Sequence, residues 1–150
     1  MESLLIDTNV IVAAMVAEHP QHASSLACIR KLQQDEAKKL MSCHGLAECF
    51  SSLTSMPFEN QISPFQAREI IERNVLSLFE VVELNAQDYQ DAVRRVSDFN
   101  GKGGIIYDAL ILQAALKRKA SLITWNSKDF LRISRGELPI LTPDSLDTIL

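Results

Sequence analysis

The sequence predicts an α/β/α sandwich: a central parallel sheet of about four or five short strands between layers of helices. Three observations predict it. Short apolar runs bounded by polar clusters alternate with longer segments of helical spacing. Strands separated by helices need crossover connections, and those make neighbouring strands parallel. The helices are too many, and the strands too short, for a β-sandwich or a β-barrel.

Each element follows from local chemistry. Leu4 to Ile6 is a short apolar strand that ends at the polar cluster Asp7-Thr8-Asn9. Val10 to Val16 reads as a short buried helix, interrupted by His19 and Pro20. Gln21 to Gln33 continues as a helix, with Ala23, Leu26, Ala27, Ile29 and Arg30 near helical spacing. After the charged turn Asp35 to Lys39, Leu40 to Cys43 is a second strand. Leu46 to Leu53 is a helix closed by Pro57. Ser63 suits an N-cap, Pro64 the first turn, and Gln66 the return arm of a capping box, so a helix starts there and runs to about Leu76. Phe79 to Leu84, rich in β-branched residues, is a third strand. Asn85 caps the next helix, with Asp88 in its first turn and Tyr89, Ala92, Val93, Val96 and Phe99 on one face. Asn100-Gly101-Lys102-Gly103-Gly104 breaks the chain before the strongly apolar helix Ile106 to Leu116. Leu122 to Thr124 and Pro139 to Leu141 are the last strands, and Leu146 to Leu150 adds a final turn.

The 150 residues contain no repeat, low-complexity tract or Gly/Ser linker, so the expectation is one domain over 1–150. Hydrophobic residues make up 47% and charged residues 23%, which excludes global disorder. The longest apolar runs fall far short of the roughly 20 residues a membrane-spanning helix needs. Ser3 to Ala17 is signal-like, but Asp7, Thr8 and Asn9 interrupt it and no basic residue precedes it. The expectation is a cytoplasmic protein with no membrane partner. Cys28, Cys43 and Cys49 cannot all pair, no CxxC occurs, and three histidines give little support to a zinc framework. They read as reduced, partly buried thiols. A net charge of −4 does not predict a generic electrostatic grip on nucleic acid, so any such grip needs a local basic patch or metal ions.

In open parallel sheets, ligands bind beyond the carboxyl ends of the strands. That rule singles out Asp7 after the first strand, Glu48 on the helix after the second, Asp108 in the first turn after the glycine break, and Asn126 and Asp129 after the strand ending at Thr124. Carboxylates gathered there without cationic partners repel one another. A divalent cation removes the conflict, and oxygen ligands suit magnesium or manganese. Each residue also has a purely structural reading. Asp7 and Asp129 are possible caps, Asp108 complements a helix dipole, and Glu48 is a possible solvated helix residue.

The order and spacing of these residues resemble the PIN-domain family of metal-dependent ribonucleases. The matching stretches are Leu5-Ile6-Asp7-Thr8-Asn9-Val10-Ile11, Leu46-Ala47-Glu48, Tyr107-Asp108-Ala109-Leu110-Ile111, and Leu122-Ile123-Thr124-Trp125-Asn126-Ser127-Lys128-Asp129-Phe130. The single-domain length looks most like the VapC-type toxins of toxin–antitoxin pairs. The resemblance implies metal-dependent hydrolysis of RNA phosphodiester bonds, with Mg2+ as cofactor and Mn2+ as a substitute. It implies that Asp7, Glu48 and Asp108 are the acidic ligands. Asn126 takes the position where many members carry a fourth acid, which weakens the hold on a second ion. Asp129 is a nearby spare carboxylate, and Thr8, Asn9 and Thr124 are the polar support.

Lys102 and Lys128 flank the expected pocket and are the candidate RNA contacts, whereas Lys117-Arg118-Lys119 reads as a solvated helix end. Trp125 either stacks a base or packs between strand and helix. Phe50 to Phe65 forms either a partner groove or an ordinary helical hairpin; the resemblance implies a cognate antitoxin and a homodimer. Two alternatives are a non-catalytic PIN-like RNA-binding or scaffolding domain and a haloacid-dehalogenase-type phosphatase. The phosphatase needs an acid where this chain has Asn9.

Overall fold

Residues Leu4, Leu5 and Ile6 are buried on both sides of the chain, as the centre of a parallel sheet requires. In the computed structural model, which describes residues 2–148, they form β1 (Ser3–Ile6). The other strands are β2 (Lys38–Ser42), β3 (Glu80–Val82), β4 (Ser121–Ile123) and β5 (Ile140–Leu141). All neighbours pair in parallel, in the order β3-β2-β1-β4-β5. Leu5 stands opposite Leu40 on one side and Leu122 on the other. The chain steps outward from β1 to β2 to β3, then returns to the far side of β1 as β4. The strand order therefore reverses between β1 and β4, where open α/β sheets place their ligands.

Side-chain alternation along β1 divides the core. Leu4 and Ile6 join one apolar cluster and Leu5 the other. The first lies under α1 (Thr8–Met15), α2 (His22–Gln34), α3 (Cys43–Ser55) and α4 (Pro64–Ile70). The second lies under α5 (Ala86–Asp98), α6 (Ile105–Lys117) and α7 (Ser127–Ser134). Fully burying each large aliphatic side chain contributes about 1.5–3 kcal/mol. Helix α6 is apolar around most of its circumference because it packs on both the sheet and α5.

The expected capping box forms at Ser63 with Gln66, and Asn85 caps α5 as expected, with Asp88 returning a bond to complete a second box. Several boundaries move. Helix α1 starts at Thr8, two residues before Val10, because Asp7 keeps an extended backbone and serves as its N-cap position. Strand β2 begins at Lys38, and Cys43 belongs to α3, whose cap Ser42 accepts a hydrogen bond from the His44 amide. After Ile70 the helix widens into a π-helical turn, Ile71–Val75. Edge strand β3 is three residues long, not the six of Phe79 to Leu84, because the backbone leaves the ladder towards the Asn85 cap. The tail expected to turn at Leu146 lies in a 3-10 helix, Pro143–Thr148, and residues 149–150 fall outside the described residues.

Two helix faces differ from the sequence reading. The inner stripe of α2 is Ser25, Cys28, Ile29 and Leu32. That of α5 is Asp88, Ala92 and Val96, leaving Tyr89, Val93 and Phe99 exposed. Asp88 turns inward because Lys117 Nζ donates to its Oδ2 at 2.8 Å, which makes a buried carboxylate tolerable. Helix α7 is an element the sequence reading did not assign. It is short, and only Phe130 and Ile133 mark its buried face as apolar. No described helix is long and apolar enough to cross a membrane. All three cysteines are free thiols, with Cys28 and Cys49 buried.

Candidate active site

The β1–β4 ladder extends one residue past each strand and thereby builds the site. The Asp7 amide donates to the Ile123 carbonyl at 2.9 Å, which brings the Asp7 side chain beside Thr124. Thr124 Oγ1, fully buried, donates to Asp7 Oδ2 at 2.7 Å. The same hydroxyl accepts from the Asn126 amide at 2.9 Å and from Asn9 Nδ2 at 3.4 Å. Asn9 Oδ1 in turn accepts from the Trp125 amide at 3.3 Å. Thr124 and Asn9 thus hold the turn after β4 against the start of α1.

Glu48 reaches the same place from α3. Thr8 Oγ1 donates to its Oε1 at 3.4 Å. A Cβ at Gly45 would lie 3.2 Å from that Thr8 hydroxyl, so the glycine lets α3 approach α1 closely enough to seat Glu48. Asp108 arrives on the first turn of α6, where Asn126 Nδ2 donates to its Oδ2 at 3.5 Å, the long limit of a hydrogen bond. Asp129, on the first turn of α7, is near enough to repel Asp108.

The electrostatics follow from burial and crowding. Desolvation, then the Glu48 charge, push the Asp7 carboxyl from 3.8 to about 6, against the pull of the Thr124 hydroxyl and the Thr8 and Asn9 amides. Desolvation, then Asp7 and Asp129, take Asp108 from 3.8 to about 6. Glu48 is raised by burial and by Asp108, against the Thr8 hydroxyl. Each of these three acids is therefore raised by another acid of the site. Among the described residues no lysine or arginine pairs with them; His44 Nε2 lies 3.7 Å from Glu48 Oε1, and burial holds that imidazole below its ordinary value. Four carboxyl side chains without a fixed cation are a poor hydrophobic site and a good oxygen-donor set for a hard divalent ion.

The donor chemistry fits Mg2+ or Mn2+. Among the described residues no three acidic, histidine or cysteine side chains close on one point as a ready-made cage. Magnesium does not require one, since it keeps several waters and takes one or two carboxylates plus substrate phosphates.

The fold thus brings Asp7, Glu48, Asp108, Asn126 and Asp129 together, with Thr8, Asn9 and Thr124 bonded among them. Lys102, in the loop before α6, and Lys128, on α7, are exposed, and neither makes a hydrogen bond or ion pair among the described residues. The run after Leu116 lies at the far end of α6, where Lys117 pairs with Asp88 and Arg118 with Glu80, while Lys119 is exposed. Trp125 packs inward, its Nε1 donating to Ser25 Oγ at 2.8 Å. In the Phe50–Phe65 segment, Leu53 is buried and Met56, Phe58 and Ile62 pack on the core, while Phe50 and Phe65 stay exposed.

Sequence reasoning missed one feature of the site. The rings of His44 and Tyr107 stack, centroids 5.2 Å apart and planes within 3°. Their positions beside Glu48 and Asp108 were visible, but their contact depends on how α3 and α6 meet.

Comparison with known proteins agrees with this fold. The family model described as "PIN domain" matches residues 4–136. Ribonuclease VapC27 of Mycobacterium tuberculosis is 29% identical over 126 residues, covering 83% of this chain and 85% of that protein. Among solved structures, VapBC2 from Rickettsia felis, bound to a promoter DNA fragment, superposes with a TM-score of 0.66 at 21% identity, over 93% of this chain and 97% of that one. VapC20 of M. tuberculosis, described as a sarcin–ricin loop cleaving toxin, superposes with a TM-score of 0.69 at 14% identity, over 89% and 95%. At those identities the superpositions show a shared fold.

Proposed function

Because the chain belongs to the PIN domain family, we propose that it is a divalent-metal-dependent endoribonuclease and the toxin of a toxin–antitoxin pair. The observation that carries this reading is the cluster of Asp7, Glu48 and Asp108 at the reversal of strand order, each raised by another acid and, among the described residues, without a lysine or arginine partner, with Asp129 beside Asp108. The relative named a ribonuclease supports RNA as the substrate. The solved toxin–antitoxin complexes of the same fold support an antitoxin partner.

Asp7 and Asp108 are the residues that would hold the ion, with Glu48 beside them. A divalent ion held there supplies an acidified water and neutralises charge that builds on the scissile phosphate. The protein's own contribution is positioning. Thr124 fixes the Asp7 carboxylate, Thr8 steers Glu48, and Asn126 presents an amide to Asp108. A preorganised acidic set pays no reorganisation at the moment of reaction. Lys102 and Lys128 flank the site as backbone contacts for RNA. The protein acts in the cytoplasm as a homodimer, released from its antitoxin.

The test is cleavage of a mixed RNA pool by purified protein with magnesium, with manganese and with chelator, beside Asp7→Asn. Metal-dependent cutting that vanishes in the variant is the expected result. Folded protein that binds the metal and cuts no RNA would instead indicate the non-catalytic RNA-binding domain, a reading that Asn126 keeps open and that the retained Asp7, Glu48 and Asp108 weigh against.

A further inference from the structure

We propose that Tyr107, braced by His44, is the platform on which this site stacks a nucleobase of its RNA, an inference that rests on the ribonuclease reading above. The stack joins the starts of α3 and α6. His44 lies one turn ahead of Glu48, and Tyr107 immediately precedes Asp108. The rings are parallel within 3° and 5.2 Å apart, an offset stack.

Exposure identifies which ring is free to take a base. The His44 side chain is 18% exposed, while Tyr107 is 52% exposed. One face of the tyrosine is covered by the imidazole, and much of the residue remains in water. Its hydroxyl makes no hydrogen bond among the described residues. Holding the ring in place before binding reduces the entropy that ordering would otherwise cost.

Charge explains why such a platform is needed. RNA brings phosphates to an acidic pocket on a protein of net charge −4. Before a metal binds, that pocket repels the backbone. Lys102 and Lys128 are the cations expected near it, and neither is anchored towards the acids. Base stacking supplies affinity that does not depend on charge, and every base has a π-face to offer. The indole of Trp125 cannot do this, because it is turned inward onto Ser25. Tyr107 therefore gives grip without reading base identity.

The experiment uses the cleavage-deficient Asp7→Asn protein with magnesium and a short single-stranded RNA carrying 2-aminopurine. Affinity is read by anisotropy and stacking by quenching of the 2-aminopurine. Adding Tyr107→Ala should weaken binding about 5- to 150-fold and abolish the quench. Tyr107→Phe should stay within about twofold of the parent and keep the quench, whereas Tyr107→Leu, which restores bulk without a π-system, should behave like alanine. Unchanged affinity and quench in the alanine and leucine variants, while wild-type protein still cuts RNA with metal, would overturn the platform alone. Absence of both RNA binding and RNA cleavage in the wild-type protein would overturn the ribonuclease reading and the platform with it.

Discussion

Thr124 and Asp7, 117 residues apart in the chain, are joined by a 2.7 Å hydrogen bond from a fully buried hydroxyl to a buried carboxylate. The bond exists because β4 pairs beside β1 and each strand ends one residue before its polar side chain. The hydroxyl is saturated: it donates once and accepts from Asn126 and Asn9. Replacing Thr124 with Val should cost about 1–3 kcal/mol, because three partners lose their bond. It should also raise the Asp7 carboxyl above about 6, since the hydroxyl is the largest influence lowering it. Thr124→Ser should restore most of both. Urea unfolding and the pH dependence of RNA cleavage measure the two effects separately.

Asp7→Asn should stabilise the metal-free protein. The folded carboxyl titrates near 6 and the unfolded one near 3.8. Because folding favours the protonated form, ionisation opposes it. The cost is absent below about pH 4, grows between 4 and 6, and is constant above 6. It amounts to at most about 3 kcal/mol, spread over a coupled cluster, so a gain of about 1–3 kcal/mol at pH 7.5 is expected. The two proteins should be equally stable near pH 4. Magnesium should raise the melting temperature of the wild-type protein more than that of the variant. A variant less stable than wild type at pH 7.5 without metal would contradict the account of the crowded acids.

Asp108→Asn should reduce metal-dependent cleavage by at least about 100-fold while circular dichroism and melting stay native or improve. Asp108 is the acid that Asp7, Asp129 and burial act upon together. Full activity in this variant would remove it from the ligand set.

Asn126→Asp should have opposite effects on metal binding and on stability. The asparagine amide now offers Asp108 a long hydrogen bond at 3.5 Å. An aspartate there adds a further charge to an uncompensated cluster. Without metal the variant should be less stable by about 1 kcal/mol at neutral pH. With metal it should reach half-maximal cleavage at lower magnesium or manganese. Calorimetric metal titration checks the affinity, and equal affinity in both proteins would refute a ligand role for this position.

Asp88 offers a control far from the site. Its carboxyl is held low first by the Lys117 ammonium and then by the Asn85 amide, which it bonds in the capping box. A lowered carboxyl stabilises above its unfolded value, and that contribution disappears as pH falls through the folded value. Asp88→Ala should cost about 1–2 kcal/mol at pH 7 and progressively less as the solution is made more acidic. Cleavage at saturating metal should be unchanged.

The sequence showed what is local. Ser63 with Gln66 announces a capping box and Asn85 announces a helix cap, through contacts three residues long, and both form. The position of Asp7 at the end of an apolar run was equally plain. What it concealed depends on tertiary partners. Tyr89, Val93 and Phe99 looked like the inner face of α5 because they are apolar, yet Asp88 takes that face once Lys117 arrives from α6. Trp125 was ambiguous until Ser25 of α2 settled its direction. Helix α7 has too few apolar residues to declare itself. The His44–Tyr107 stack is set by how two helices abut, and no spacing in one segment encodes that.

The strand order also sets when the site comes into being. Synthesis delivers β1, β2 and β3, with Asp7 and Glu48, well before β4 is made. Until β4 slides in beside β1, Asp7 has no threonine to hold it and Asp108 has no Asn126 beside it. A chain still on the ribosome, or one cut short before residue 121, therefore carries the early acids without the assembled centre. Pairing of sequence-distant parallel strands is also slow to form. The full set of site residues, with the bonds that hold them, thus exists only once β4 and the turn after it have been made.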